Sequence, residues 1–179
     1  MTQKGPSLDT FSPFCYVGGS LLGINKLFIF KICQALQEAD VVYAVVGGFA
    51  VALHGAVRGT IDIDIAIQWN MQNLQRTELA LKKIGLVSQL PISAQIIFEK
   101  RHEYINERNL IAWNFYNPKK LSEQIVLIIT YDLTGRRVEE IETPLGKVKV
   151  LSRKDLIEMK RASARPQDLE DIQALEQLE

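Results

Sequence analysis

Cysteine is almost absent from this sequence: Cys15 and Cys33 are the two in 179 residues. Two thiols make no disulfide framework, and their spacing matches no metal site. A reducing, cytoplasmic setting is therefore expected. Excess charge is lacking too, since 21 lysines and arginines balance 21 aspartates and glutamates. That excludes a bulk electrostatic pull on nucleic acid, although a local basic patch stays open. No apolar run approaches the roughly 18 residues that cross a bilayer, so no membrane contact is expected. The first twenty residues lack a basic start followed by an apolar stretch, which argues against a secretory signal. Internal repeats and low-complexity tracts are missing, which excludes repeat architectures.

What is present is an ordinary globular balance. Apolar residues make up 47% and charged residues 23%, and a chain of this length can bury a core without staples. Residues 1–20, rich in Gly, Ser, Thr and Pro, read as an arm. Residues 21–179 read as one domain, with 151–179 its helical end. From Leu21 to Glu38, Ile24, Phe28, Ile32 and Leu36 recur every fourth position, which predicts an amphipathic helix. Val41 to Val46 is short, apolar and β-branched, hence a buried strand. Gly47-Gly48 breaks it, and Phe49 to His54 reads as a short helix closed by Gly55.

Ile61 to Ile67 alternates Ile-Asp-Ile-Asp-Ile-Ala-Ile, the period-2 pattern of a strand with one buried face. Asn70 caps a predicted helix to Ile84. Strand-like pieces follow at Gln95–Phe98, Leu110–Phe115 and Ile125–Tyr131. The stretch of Arg101, His102, Glu103 and Arg108 between them reads as a solvated loop, or as a surface facing an acceptor. Val138–Glu142 and Lys147–Val150 flank Pro144-Leu145-Gly146 as a hairpin or two short edge strands. Ser152, with Asp155 three positions on, opens a helix to Ala164, and Pro166 opens the last. This order predicts an α+β fold, a mixed β-sheet with helices packed on one face and C-terminal helices.

Chemistry concentrates between Val46 and Ile65. Asp62 and Asp64 are two apart on a predicted strand, so both point to one face. Side by side they repel, by roughly 1 kcal/mol at about 4 Å in water. A divalent cation would reverse that sign, and Mg²⁺ favours one or two carboxylates plus substrate phosphates. The alternative is a solvated outer strand face. Gly47-Gly48 lets backbone approach a ligand at a helix start, or is simply a tight turn. Arg58 is a phosphate contact or a surface side chain, and Thr60 lies beside it. His54 reads as a helix-end residue rather than a base.

Strand, Gly-Gly, helix and Arg-x-Thr-x-Asp-x-Asp follow in order. That order resembles the signature of the nucleotidyltransferase superfamily that includes DNA polymerase beta. It is most similar to the small bacterial branch of abortive-infection toxins and antibiotic nucleotidyltransferases. The resemblance implies that Gly47 and Gly48 contact nucleotide phosphates and that Asp62 and Asp64 bind Mg²⁺. The tail Lys160-Arg161 … Arg165-Pro166-Gln167-Asp168-Leu169-Glu170-Asp171 is similar to that branch's helical ending, which implies that Lys160 faces the nucleotide. It further implies a nucleoside triphosphate substrate, an RNA, protein or small-molecule acceptor, and a toxin role with an antitoxin partner.

The sequence departs from the family at one point. A third carboxylate, often the general base, should fall near Val126, and the run Gln124-Ile125-Val126-Leu127-Ile128 has none. Glu123 and Asp132 only bracket the strand. Three readings follow: a two-carboxylate enzyme, a nucleotide-binding module without chemistry, and a structural domain with solvated aspartates.

Overall fold

The computed structural model describes residues 20–178, with side chains from Leu27 onward. The arm expected over 1–20, and Cys15 with it, fall outside the described residues apart from Ser20. The chain runs α1 (Ser20–Glu38), β1 (Tyr43–Val46), α2 (Gly47–Leu53), β2 (Ile63–Ile67), α3 (Met71–Lys83) and β3 (Val87–Ser88). It continues through α4 (Ala94–Glu99), α5 (Arg101–Asn106), β4 (Ala112–Asn117) and β5 (Lys120–Asp132). It closes with β6 (Val138–Thr143), β7 (Gly146–Leu151), α6 (Arg153–Ser163) and α7 (Pro166–Glu176).

The seven strands form one mixed sheet in the order β3-β4-β5-β2-β1-β7-β6. β2 runs antiparallel to β1 and parallel to β5, while β7 runs parallel to β1. The alternation read in β2 is realised: Ile63, Ile65 and Ile67 are almost fully buried on one face. Ile125, Leu127 and Ile129 of β5 bury beside them, and Phe28, Ile29, Ile32, Leu74 and Leu81 of α1 and α3 belong to the same core. The α+β expectation holds.

Local cues explain most element ends. The Asn70 side chain accepts from Asn73 N at 2.8 Å, and Ser152 accepts from Asp155 N at 3.2 Å. Asn73, itself buried, ties α3 to β1 through Val42 N and Val42 O at 2.8 and 3.0 Å.

Three expectations are corrected. Gln95–Phe98 is not a strand but lies in α4, whose first turn is capped by Ser93; Glu78 also accepts the Ala94 N–H at 2.8 Å. A short apolar run carries no periodicity that separates strand from helix, and the cap decides. The stretch from Arg101 is helix α5 rather than loop. It is anchored by the Arg101 guanidinium 4.2 Å above the Trp69 ring and by Arg101 Nε donating to Ile129 O at 2.7 Å. Finally, α2 begins at Gly47, so the glycine pair opens the helix instead of preceding it.

Candidate active site

The Asp-x-Asp pair is split by the strand boundary. Asp64 lies inside β2, half-buried, directly across from Val46 in the antiparallel register. Asp62 sits one residue before the strand and is exposed.

The glycines are explained first by Asp64 and Thr60. Gly47 has φ +64°, and a Cβ there would overlap Asp64 Oδ2 and stand 2.7 Å from its Cγ. A Cβ on Gly48 would lie 2.8 Å from Thr60 Oγ1 and 2.9 Å from Thr60 Cβ. The backbone of the β1–α2 turn thus lies flat against the acidic strand. This is the close approach that glycine allows, and here its partner is the protein's own carboxylate.

A cavity of about 640 Å³ opens over this turn, and Gly47, Asp64, Lys160, Ser163, Arg165 and Asp168 line its charged side. Burial, and then Asp62, push the Asp64 carboxyl from 3.8 up to about 6, against the pull of Lys160, Arg165 and Arg58. Three cations face this carboxylate without overcoming its desolvation.

Lys160 is buried and donates to Asp171 Oδ2 at 2.7 Å and to Asp168 Oδ1 at 3.1 Å. Burial pushes the Asp168 carboxyl up, but hydrogen bonds from Ser163 and Lys160 outweigh it and hold it below the usual range. Arg58 leaves the acidic strand and turns to α7. Its Nε stands 3.0 Å from Asp171 Oδ1 but is misaligned for a hydrogen bond, and its guanidinium also bonds Gly59 O. Asp171 therefore binds two cations at once.

Of the residues singled out in the sequence, Gly47, Asp64 and Lys160 meet in the cavity. Gly48 and Thr60 pack on each other beside it, and Asp62 and Arg58 act on Asp64 through charge. His54 directly follows α2, and its Nε2 lies 2.8 Å from Leu151 O. Arg165 and Ser163 were missed as site residues. A signal for them existed in Arg165-Pro166-Gln167-Asp168, whose capping geometry turns the α6–α7 junction into the cavity. The other side of the cavity is walled by Ile111, Ile128, Leu156 and Met159, with Tyr131 and Arg136 at its edge.

The parallel register places Val126 beside Asp64. Glu123 shares the opposite face with Ile125 and binds Lys120 and Asn117 at 2.7 and 2.8 Å. Asp132 accepts from Trp69 N and Thr134 N, both at 2.9 Å, and so closes a turn. Neither acid stands in for the absent one, and no group of three or more His, Cys, Asp or Glu residues fit to hold a metal occurs among the described residues.

Residues 26–178 match the family described as nucleotidyltransferases of unknown function (DUF6036). The chain belongs to that family. The match takes in the glycine turn, the acidic strand and both C-terminal helices. No curated protein matches. Among solved structures, the lincosamide antibiotic adenylyltransferase LnuA, with lincomycin bound, is 14% identical with a TM-score of 0.59, covering 86% of this chain and 98% of its own. ANT(2″)-Ia in complex with adenylyl-2″-tobramycin is 14% identical at TM-score 0.56, covering 85% and 87%. An antigenic nucleotidyltransferase-like protein from Paracoccidioides brasiliensis is 18% identical at 0.52, covering 84% and 75%. At these identities the likeness shows a shared nucleotidyltransferase fold.

Proposed function

We propose that the protein moves a nucleoside monophosphate from a nucleoside triphosphate to a hydroxyl acceptor, with Mg²⁺ held by Asp62 and Asp64. The observation that carries this is Asp64, whose carboxyl is pushed up to about 6 by burial and by Asp62 in a cavity that also presents Lys160 and Arg165. A carboxylate under such strain is relieved by a cation. The donor set suits Mg²⁺, which commonly takes one or two carboxylates and completes its shell with phosphates and water. Held by Asp62 and Asp64, it would supply the positive charge that offsets the carboxylates and favours displacement at phosphorus.

The chain's own residues divide the remaining work. Gly47 and Gly48, pressed against Asp64 and Thr60, set the β1–α2 turn whose backbone would contact the triphosphate. Lys160 and Arg165 present positive charge to the departing pyrophosphate. Asp171 and Asp168 hold Lys160 in place by ion pairing, and Arg58 pairs with the other oxygen of Asp171. Val126 offers no base, so the acceptor's proton passes to solvent. The adenylyltransferase neighbour LnuA makes ATP the first donor to try. The resemblance to abortive-infection toxins suggests a toxin role with an antitoxin partner, and RNA, a protein or a small molecule as the acceptor. Scarce cysteine and balanced charge suit a cytoplasmic protein.

A second reading has Val126 in its favour: a module that binds nucleotide and transfers nothing. Calorimetric titration with Mg-ATP and Mg-GTP comes first, with Asp62→Asn/Asp64→Asn as control. Binding that requires Mg²⁺ and disappears in the double variant is expected. Binding by neither nucleotide, with the protein folded, would end both readings. Binding without label transfer to any acceptor favours the second.

A further inference from the structure

The acceptor's direction of approach follows from the sheet register. Phosphoryl displacement is in line, with attacking and leaving oxygens on opposite sides of the phosphorus. Lys160 and Arg165, which suit the leaving pyrophosphate, stand on the α6–α7 side of Asp64. The acceptor must then arrive from the other side, across β5 and β4. There, Asp64 pairs with Val126, Val126 with Asn114, and Gln124 with Tyr116. Paired residues share a face, so Asp64, Val126 and Asn114 form one row. With strands about 4.8 Å apart, Asn114 lies roughly 10 Å from Asp64.

Beyond Val126 this face opens into a shelf of about 270 Å³ lined by Gln89, Asn114, Phe115, Tyr116 and Gln124. Asn114, Gln124 and Gln89 are exposed, and Asn114 Nδ2 donates to Gln89 Oε1 at 3.3 Å. None of the lining residues is charged. Glu123 is on the far face, where it holds Lys120 at 2.7 Å.

We propose that this shelf seats the acceptor, and that the acceptor is a small, uncharged, polyhydroxylated molecule of about one sugar ring. The proposal rests on the nucleotidyl-transfer reading above. Amide side chains offer both donors and acceptors, which match hydroxyls, and the Tyr116 ring supplies an apolar face. A polyanion such as RNA would need cations along its path, and a polycation would need carboxylates; the shelf has neither. Its volume lies just below the range of small-molecule sites, roughly 300–1,000 Å³, which limits the acceptor to about one ring. In the reaction the acceptor hydroxyl oxygen bonds the α-phosphorus. The bond from that phosphorus to the bridging oxygen breaks, pyrophosphate leaves with the electron pair, and the hydroxyl proton goes to solvent.

The test is label transfer from α-labelled ATP and GTP with Mg²⁺ to three panels: neutral sugars and glycosides, cationic aminoglycosides, and single-stranded RNA with a free 3′ hydroxyl. Label in the neutral panel is expected. Gln124→Ala and Asn114→Ala should each raise the acceptor KM about tenfold and leave the nucleotide KM and the melting temperature unchanged. Label in RNA or aminoglycoside, or variants with an unaltered acceptor KM, overturns the proposal. Label in no panel by protein that binds Mg-nucleotide overturns it too, leaving the nucleotide site standing. Failure to bind nucleotide at all removes the reading on which it rests.

Discussion

Gly48 and Asp64 each carry a cost or constraint visible at the level of single atoms. Gly48→Ala would force a methyl within 2.8 Å of Thr60 Oγ1, and overpacking of this kind costs about 1–3 kcal/mol. Thr60→Gly removes the obstructing atoms. A double-mutant cycle read by denaturant unfolding should therefore show a favourable coupling of about 1 kcal/mol or more. Additive effects would show that the turn simply moves aside. Asp64 sets a pH dependence. Folding raises its carboxyl from 3.8 to about 6, so between those values the folded state keeps a proton that the unfolded state has lost. Stability from this group accordingly falls as pH rises from about 4 to about 6, by on the order of 1–3 kcal/mol. In chelator, Asp64→Asn should be more stable than the parent at pH 7 and should flatten this slope. Mg²⁺ with nucleotide should do the same for the parent, because a bound cation stabilises the charged form.

Helix α7 acts on the site through its carboxylates, Asp168 at the cavity wall and Asp171 behind it. Its Asp171 is buried and pairs with Lys160 of α6 and with Arg58 of the α2–β2 connection. Asp171→Ala leaves Lys160 buried with Asp168 alone, and breaking such a pair costs about 3–5 kcal/mol. The loss should appear in guanidinium unfolding, and Lys160→Met on that background should recover part of it. Full stability in the single variant would mean that the ammonium escapes to water. The helix caps were legible in sequence because they are local: Asn70, Ser152 and Pro166 open their helices as their chemistry dictates. Gln95–Phe98 was not, since four apolar-rich residues fit either element and the Ser93 cap is reinforced by Glu78 of another helix, which accepts the Ala94 N–H.

At the scale of the molecule, the decisive fact is that β2 and β5, some sixty residues apart, run parallel with Asp64 beside Val126. That register defines where a third acid would stand. Val126→Glu places a carboxylate about one strand spacing, roughly 4.8 Å, from Asp64. It should raise Mg-dependent label transfer at least tenfold over the parent. In chelator it should lower the melting temperature, because three carboxylates then repel. An unchanged rate together with an unchanged melting temperature would mean that the new side chain turns away.

The sequence by itself determined the parts that depend on near neighbours. The 2-residue alternation of Ile63, Asp64 and Ile65, the breaks at Gly47 and Gly55, and the capping residues all report on a few bonds along the chain. The order of these parts was enough to expect an α+β fold and a nucleotidyltransferase resemblance. Only the tertiary structure decided what each polar group faces. It took the pairing of β1 with β2 to show that the glycines make room for Asp64 and Thr60. It took the packing of α6 and α7 to turn Arg58 toward Asp171 and to bring Arg165 into the cavity. Burial and charge then act through space, and no spacing along the chain encodes the distance between Asp64 and a lysine almost a hundred residues away.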